Sequence, residues 1–511
     1  MLSLAFSAAM LGIDGYVVRV EADSAPGTPA FAIIGLPDRA LGEARERVRA
    51  AIINSGFAYP AGRLLVNLSP ADVRKAGPAF DLAIAFALMG IDEQVDRRAL
   101  QEFILLGELA LDGRLQPVSG ILPMVLGARN AGFTKLIVPA SNAHEAALVA
   151  GTQLYPVESL RNAFAVVCGN GGKWRRSSAP PELRPNDELV HGDLTDVRGQ
   201  SAAKRALEIA AAGGHNLLLV GPPGCGKTML ARRLPSILPP MTPDEALEVT
   251  KIYSVAGLLL ARSAIVSARP FRFPHHTISQ TALVGGGALA KPGEISLAHH
   301  GVLFLDELPE FTRSAIEVLR QPLEEGSVTI ARAAGTFTYP AQFQLVASMN
   351  PCPCGYRGTR TVECRCDDAM VAKYVSKLSG PLLDRIDLQI EIARVAFDDM
   401  VRYGGGERSA TIRERVVAAR GRQRARFAET PFACNADIAP SAMRRYCALD
   451  EPALRLLGHA SAKRQFSARA LDRITRVART IADLAGERDI RSEHIAEAIQ
   501  YRSLERLAAA A

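Results

Sequence analysis

A glycine-rich loop between an apolar run and a helix-forming segment most constrains how this chain can fold. The loop follows Leu217–Val220 and precedes the helix-like residues 229–234, so the local order is strand, loop, helix. Its pattern, G-x-x-x-x-G-K-T, is typical of a phosphate-binding loop. The residues that form it are Gly221, Pro222, Pro223, Gly224, Cys225, Gly226, Lys227 and Thr228. The pattern predicts a binding site for a nucleoside triphosphate.

Each residue type in this loop has a physical role at a phosphate. Glycines let the backbone fold tightly and turn several N–H groups toward phosphate oxygens, and the helix that follows adds its positive end. Lys227 can reach the β- and γ-phosphates, and the hydroxyl of Thr228 can hold Mg²⁺. We therefore expect ATP and Mg²⁺ as cofactors.

Two further apolar runs end in polar residues suited to ATP hydrolysis. Asp306 and Glu307 follow Val302–Leu305, 79 residues after Lys227. Asp306 is expected to hold Mg²⁺ through water, and Glu307 to polarise the water that attacks the γ-phosphate. The run 343–349 ends at Asn350, which is placed to hydrogen-bond the γ-phosphate or that water. Together these residues predict a hydrolytic site.

Length and composition describe a chain of about three domains. The 511 residues are 48% hydrophobic and 22% charged, which is typical of a soluble globular protein. The net charge of +7 permits a polyanionic partner without requiring one. The first 20 residues lack a basic start and are interpreted as a strand rather than a signal peptide, and no stretch of about 20 apolar residues is present. We expect a cytoplasmic protein without a membrane segment.

Four of the eight cysteines lie within fifteen residues, as C-x-C, nine residues, C-x-C. They are Cys352, Cys354, Cys364 and Cys366. Four thiolates form a complete tetrahedral ligand set for structural Zn²⁺ and leave no open position for catalysis. Because C-x-C is tighter than the usual C-x-x-C, free thiols stay open as the alternative.

The motifs of the central region resemble those of AAA+ ATPases. The segments 274–276 (PHH), 283–287 (LVGGG), 292–299 (PGEISLAH) and 350–355 (NPCPCG) are similar to those of the magnesium-chelatase-like subgroup. Taken with its N-terminal third, nearly the whole chain resembles the ComM/YifB family. That resemblance implies a homo-hexameric ring with DNA helicase or branch-migration activity, associated with recombination of incoming DNA in natural transformation and with a recombination-protein partner.

The N-terminal third alternates strand-like segments (17–22, 30–34, 64–68) with helix-like ones (40–55, 81–89). Segments 75–82 (KAGPAFDL) and 106–115 (LGELALDGRL) resemble the two signatures of Lon-type Ser-Lys proteases. Ala79 stands where that family has its nucleophilic serine, and residues 121–124 (ILPM) where it has its catalytic lysine. A Ser-Lys mechanism needs a hydroxyl and an amine of lowered pKa, and we expect neither. The resemblance thus implies a Lon-like fold without proteolysis.

The expected fold class is α/β, with a AAA+ P-loop parallel sheet core and a helical C-terminal lid, preceded by an α+β Lon-protease-like domain. The expected boundaries are 1–168 for the Lon-like domain, 169–192 for a linker containing Trp174, 193–395 for the core and 396–511 for the lid. By resemblance, Arg385 projects as an arginine finger into the neighbouring subunit, and Arg469 contacts phosphate from the lid. The alternative, that Arg385 is an ordinary surface arginine, stays open.

Two segments of the core are candidates for DNA contact. Residues 268–300, which carry Lys291, resemble an insert that lines a ring pore, and residues 327–342 are predicted to form a hairpin with Arg332 near its tip. Neutralisation of phosphate charge would make such contacts independent of base sequence. A solvated arginine is the alternative at 332. Of two histidine pairs, 275–276 and 299–300, we expect structural hydrogen bonds rather than metal binding, because no acidic residue falls at a helical ligand spacing.

Two interpretations of function remain. The leading one is an ATP-driven DNA motor. The alternative is a chelatase-type ATPase that remodels a protein partner for metal insertion, since it would share the same nucleotide motifs. An arginine-rich segment, 413–426, faces either nucleic acid, a neighbouring subunit or solvent.

Overall fold

The structure is a computed structural model that describes residues 2–75, 77–169, 175–176, 192–259, 265–287, 290–332, 335–359, 362–395 and 406–502. Most of the predicted linker, with Trp174, lies outside the described residues, as does the predicted start of the lid at residues 396–405. Among the described residues, no helix combines the length and the apolar character that crossing a membrane requires.

The N-terminal domain is an eight-stranded mixed sheet with helices packed against it. Its strands are β1 Ser3–Leu11, β2 Asp14–Ala25, β3 Ala30–Ile34, β4 Arg63–Ser69, β5 Phe103–Leu105, β8 Lys135–Pro139, β9 Gln153–Val157 and β10 Arg175–Arg176, with β6 Glu108–Leu109 and β7 Leu115–Gln116 as a separate hairpin. Across the sheet the strand order is β10-β9-β8-β5-β1-β2-β4-β3. Its helices are α1 Arg39–Asn54, α2 Asp81–Met89, α3 Arg97–Leu100, α4 Ile121–Asn130, α5 Ala143–Ala146 and α6 Leu160–Val167. The five predicted strand and helix segments are confirmed.

Helix α2 lies at the centre of this domain because all nine of its residues are buried. Its one charged residue, Asp81, accepts two hydrogen bonds from Arg47, at 3.0 and 3.2 Å. Burial of the carboxylate raises the pKa of Asp81 to about 6, against the opposing effect of Arg47. A helix buried on every side is expected of a domain core rather than of a surface element.

The turn before α2 carries the residues compared with the protease site. Ala79 is buried and offers a methyl group where a serine protease needs a hydroxyl. Lys75 is also fully buried, and loss of hydration lowers its pKa although Asp72 opposes the shift. The expectation that no amine of lowered pKa is present is therefore wrong. Ala79 still lacks the hydroxyl that a Ser-Lys mechanism needs, and the relation to Lon-type proteases stays a prediction.

The central core is a five-stranded parallel sheet in the order β12-β15-β18-β11-β19. Its strands are β11 Leu217–Val220, β12 Phe271–Arg272, β15 Val302–Leu305, β18 Gln344–Met349 and β19 Leu388–Glu391. Its helices are α7 Ser201–Gly213, α8 Lys227–Ile237, α9 Pro243–Ala256, α10 Gln280–Val284, α11 Glu294–Leu297, α12 Arg313–Glu317, α13 Arg320–Glu325, α14 Asp368–Val375 and α15 Gly380–Leu383. Strands β11, β15 and β18 are buried along their whole length, as parallel strands covered on both faces must be.

Two antiparallel hairpins project from this core. The Lys291 hairpin is β13 Gly285–Gly286 with β14 Lys291–Pro292, and the Arg332 hairpin is β16 Ser327–Arg332 with β17 Gly335–Pro340. The hairpin predicted at 327–342 is confirmed. The insert predicted from residue 268 is wrong at its start, because Phe271–Arg272 pairs with β15 as the edge strand of the core sheet.

The C-terminal region, the predicted lid, is a group of helices: α16 Ser409–Phe427, α17 Met443–Tyr446, α18 Glu451–Arg464, α19 Ala468–Ala485 and α20 Ser492–Gln500. It closes back on the sheet, since the backbone N–H of Gln389 in β19 donates to Tyr501 O at 2.7 Å and Arg502 donates to Ile386 O at 2.9 Å. Several arginines of α16 bond within the chain, among them Arg415, Arg420, Arg422 and Arg426. The contacts of those four favour a structural role over nucleic-acid binding.

Candidate active site

The carboxyl ends of three adjacent strands bring the predicted hydrolytic residues together. Strand β18 lies between β15 and β11, with Leu305 paired to Ala347 and Val220 paired to Met349. The phosphate loop, Asp306 and Asn350 follow these three strand ends directly. Because the strands are parallel, all three groups meet at one edge of the sheet, where open α/β sheets bind ligands.

The phosphate loop has the backbone that its sequence predicts. Gly224 and Gly226 have φ angles of 75° and 95°, in the left-handed region that favours glycine. Helix α8 begins at Lys227, so its first N–H groups face the loop. At Gly221 a Cβ would lie 2.5 Å from Ile392 O, which excludes any side chain there. The loop and the helix start supply the donors and the positive end that a polyphosphate needs.

Lys227 is held at the mouth of this loop. Its Nζ donates to Gly221 O at 2.6 Å, to Pro222 O at 3.1 Å and to Asn350 Oδ1 at 3.1 Å. Burial lowers the pKa of Lys227, while the nearby Asp306 and Glu307 oppose that shift. The contact with Asn350 joins the phosphate loop to the end of β18, as expected for two groups that share one phosphate.

A hydroxyl and a carboxylate form the candidate Mg²⁺ site. Thr228 Oγ1 donates to Asp306 Oδ2 at 2.7 Å, and the Ser348 hydroxyl donates to Asp306 Oδ1. Oxygen donors of this kind are what Mg²⁺ prefers when it also binds substrate phosphates. These residues therefore fit Mg²⁺ with ATP: Thr228 and Asp306 would hold the ion, directly or through water, and the ion would neutralise phosphate charge. Ser348 was missed from the sequence, because a serine inside an apolar strand gives no signal of its own.

Glu307 lies beside the candidate Mg²⁺ site in an unusual backbone conformation. Its φ angle is 54°, and its N–H donates to Asp306 Oδ1 at 3.2 Å and Ser348 Oγ at 3.3 Å. A left-handed non-glycine residue costs energy and is concentrated at functional sites. The side chain is 53% exposed, and its Oε2 lies 3.8 Å from His276 Nδ1. His276 is thus a neighbour of the candidate catalytic carboxylate, which the sequence alone did not reveal.

The two candidate arginines, Arg385 and Arg469, make contacts outside the group of residues at the strand ends. Arg385 donates to Pro381 O at 2.6 Å and to Glu324 Oε2 at 2.5 Å, and its side chain is 15% exposed. Arg469, in the first turn of α19, lies 3.6 Å from Asp384 Oδ2 and is 69% exposed. In the described part of the chain, none of these contacts is to the phosphate loop. Their roles as arginine finger and lid sensor stay predictions.

Family models cover most of the chain. The model described as magnesium chelatase, subunit ChlI, matches residues 193–400. Models described as subunit ChlI of Mg-chelatase and as the C-terminal part of subunit ChlI match residues 20–142 and 406–502. The matched ranges include the whole nucleotide site.

Full-length relatives decide the family. The competence protein ComM of Haemophilus influenzae is 43% identical over 509 residues, which cover 99% of this chain and 98% of that protein. The uncharacterized protein YifB of Escherichia coli is 43% identical over 508 residues, with the same coverage of 99% and 98%. The chain belongs to the ComM/YifB family. Together with the family models, this makes it a magnesium-chelatase-like AAA+ ATPase.

The likeness to chelatases themselves is more limited. The magnesium-chelatase 67 kDa subunit of Chlorobaculum parvum is 29% identical over 164 residues, which cover 31% of this chain and 23% of that protein. The ComM and YifB relatives therefore share the whole architecture of the chain, whereas that chelatase subunit shares about a third of it.

The four clustered cysteines of this ComM/YifB chain converge as metal ligands do. Cys354 Sγ lies 3.3 Å from Cys352 Sγ and 3.6 Å from Cys364 Sγ, and all four sulfur atoms lie within 4.8 Å of one another. A tetrahedral zinc with Zn–S bonds of about 2.3 Å separates its sulfur atoms by roughly 3.8 Å. The backbone N–H of Arg357 points at Cys352 Sγ from 3.3 Å. The residues thus fit a structural Zn²⁺.

The cysteine loop also lies against the phosphate loop. Gly355 has a φ angle of 85°, and a Cβ at this position would lie 2.7 Å from Pro223 Cδ. Only a glycine allows the two loops to come this close. The cysteine cluster is therefore packed on the nucleotide site rather than standing apart from it.

The two candidate DNA-contacting residues lie on hairpins that touch each other. Arg332 and Lys291 are both exposed. Tyr339 of the Arg332 hairpin donates to Ala290 O, next to the Lys291 hairpin, at 2.8 Å. A Cβ at Gly286, the partner of Lys291 in the ladder, would lie 2.6 Å from Arg332 Nη2. Both cations therefore border one short stretch of backbone.

The histidine pairs make hydrogen bonds. His299 and His300 both reach Glu248 Oε2 of α9, at 3.2 and 2.9 Å. His299 Nδ1 accepts the N–H of Gln342 at 3.0 Å, so in the neutral ring Nε2 carries the proton and donates it to Glu248. These bonds lower the pKa of Glu248 to about 2. Glu248 lies about fifty positions before the two histidines and so not at a helical ligand spacing, and the arrangement favours a hydrogen-bonded cluster over a metal site.

Proposed function

We propose that this chain is an ATP-dependent DNA motor that works as a homo-hexameric ring, with helicase activity that promotes branch migration during recombination. The observation that carries the proposal is the continuity between the DNA candidates and the nucleotide site. Strand β17 of the Arg332 hairpin leads through residues 341–343 into β18, which is followed directly by Asn350 beside Lys227. A change at the γ-phosphate can therefore move the hairpin that carries Arg332.

The name of the Haemophilus influenzae relative, competence protein, supports a role in natural transformation. In that setting the DNA would be an incoming strand undergoing recombination, and a recombination protein would be a natural partner. Phosphate contacts from Arg332 and Lys291 suit such a task, because they neutralise backbone charge without reading bases.

DNA-dependent ATP hydrolysis tests this proposal. We expect single-stranded or branched DNA to stimulate hydrolysis, and Arg332→Ala and Lys291→Ala each to weaken DNA binding several-fold. Each substitution should reduce the slope of log affinity against log salt by about 0.7 for single strands, the contribution of one phosphate contact. Arg63→Ala, which removes an exposed arginine on the N-terminal sheet, is the matched control and should leave the slope unchanged.

The alternative function gives a different result. A chelatase-type ATPase would be stimulated by a protein partner and not by DNA. If no DNA structure binds at low salt or raises the hydrolysis rate, the motor proposal is lost.

We also propose that the four-cysteine cluster holds a structural Zn²⁺. Metal analysis of freshly purified, reduced protein should find about one zinc per chain, and Cys364→Ser should lose it. Because Gly355 packs on Pro223, loss of the metal should also weaken ATP binding. Cys168→Ser lies outside the cluster and should keep both zinc and ATP affinity. A metal-free parent protein would contradict the zinc proposal.

A further inference from the structure

The N-terminal domain is attached to the ATPase domain at two separate places. The first lies between helices α4 and α9. The N–H of Gly120 donates to Ser254 O at 3.0 Å, and the Ser254 hydroxyl donates to the carboxylate of Glu145. Glu145 also accepts the N–H of Leu122 at 3.0 Å, and its burial raises its pKa. This contact fixes the domain on the helix that follows the phosphate-loop helix.

The second attachment is made by the turn between β1 and β2, residues 12–13, and the strand end before it. Met10 and Ile13 pack against the apolar cluster of the ATPase domain that contains Ile330. A Cβ at Gly12 would lie 3.9 Å from both Phe337 Cδ1 and Thr338 O. The turn therefore lies close beside β17 of the Arg332 hairpin.

Helix α9 connects the first attachment to the other hairpin. Tyr253, next to Ser254, donates its hydroxyl to Leu297 O at 3.2 Å. Leu297 ends α11, the helix that follows the Lys291 hairpin. The hydrogen bond from Tyr339 to Ala290 O joins the Arg332 hairpin to the residue just before the second strand of the Lys291 hairpin. The N-terminal domain therefore contacts elements that support both hairpins.

We propose that the N-terminal domain is a brace for the DNA-contacting hairpins, with Ile13 and Phe337 as the residues that position the Arg332 hairpin. A two-stranded hairpin alone is marginally stable in water and needs packing on one face to hold a fixed position. The β1–β2 turn supplies part of that face, and α4 on α9 fixes the turn relative to the core. The inference rests on the proposed function and gives the N-terminal third a role that requires no protease chemistry.

The first test compares DNA-stimulated with basal ATP hydrolysis in the full-length protein. Ile13→Ala and Phe337→Ala should each lower the DNA-stimulated rate about fivefold, while basal rate and ATP affinity change less than about twofold. The double variant should be little worse than the worse single one, because both side chains pack against the same apolar cluster. Thr336→Ala alters the neighbouring, exposed residue on the opposite face of β17 and should behave as the parent protein.

The second test needs no DNA. In Ile13→Ala, a change confined to the N-terminal domain, backbone amides of β16 and β17 should exchange hydrogen at least about threefold faster, while those of β11 keep their rate. Unchanged exchange in the hairpin overturns the brace, as does an unchanged DNA response of both variants when the parent responds. A parent that does not respond to DNA overturns the motor proposal instead, and hairpin exchange then still decides the brace.

Discussion

Replacing Glu307 with glutamine is expected to slow ATP turnover by at least about a hundredfold while ATP stays bound, because a positioned general base contributes roughly 10²–10⁴ to a rate. An amide keeps the shape of the side chain but cannot take a proton from water. The Glu307 side chain is 53% exposed, and the bonds of this residue to Asp306 and Ser348 are donated by its backbone N–H, so the fold should tolerate the change. Phosphate release and the affinity for a fluorescent ATP analogue measure the two effects separately.

Two controls separate hydrolysis from binding. Lys227→Ala should instead lower ATP affinity, by at least about tenfold, since it removes a charge aimed at the phosphates. Glu310→Gln changes an exposed carboxylate three residues further on, and should turn over ATP at the parent rate. Turnover by Glu307→Gln above about a third of the parent rate would show that another group activates the water.

Replacing Arg385 with alanine is expected to have a similarly large effect on hydrolysis, of at least about a hundredfold, because an arginine finger supplies roughly 10³–10⁵ in rate. ATP affinity should stay within about threefold of the parent. Within the chain the Arg385 guanidinium pairs with Glu324, and ion pairs of this kind near the surface stabilise little. The side chain can therefore exchange this partner for a phosphate across a subunit interface.

A mixing experiment shows whether Arg385 acts in the neighbouring subunit. In rings mixed from Arg385→Ala and Glu307→Gln subunits, about a quarter of the head-to-tail interfaces pair an intact Glu307 with an intact Arg385. Activity should then recover to roughly that fraction. Mixtures of Lys227→Ala and Glu307→Gln should not recover, because both residues serve their own subunit. No recovery in the first mixture would place Arg385 in its own subunit's site or in a structural role.

The chemistry at the strand ends could be predicted from the sequence because it is local. The phosphate loop, Asp306 and Asn350 each follow a short apolar run, and parallel strands carry such ends to one edge. His276 could not be placed in this way. Its approach to Glu307 depends on how the chain returns from the edge strand Phe271–Arg272, and two residues carry no strand signal.

The pairing of Glu248 with His299 and His300 could not be predicted from the sequence either. Glu248 lies about fifty positions before the two histidines, and only the packing of α9 beside the start of β15 brings them together. Periodicity indicates which face of a helix is buried, but not which distant side chain meets it. The contact of Gly355 with Pro223 could not be predicted for the same reason, since it joins two loops that are distant in the sequence.

The closure of β19 by the last described residues has a consequence for the synthesis of this protein. Strand β19 is the neighbour of the phosphate-loop strand, and its outer edge pairs with Tyr501 and Arg502. On the ribosome, the N-terminal domain can fold while the rest of the chain is still being made. The ATPase sheet must wait for residues more than a hundred positions beyond β19 before that edge is covered. The nucleotide site is therefore completed late, and a chain that stops before Tyr501 leaves an open strand edge of the kind that seeds aggregation.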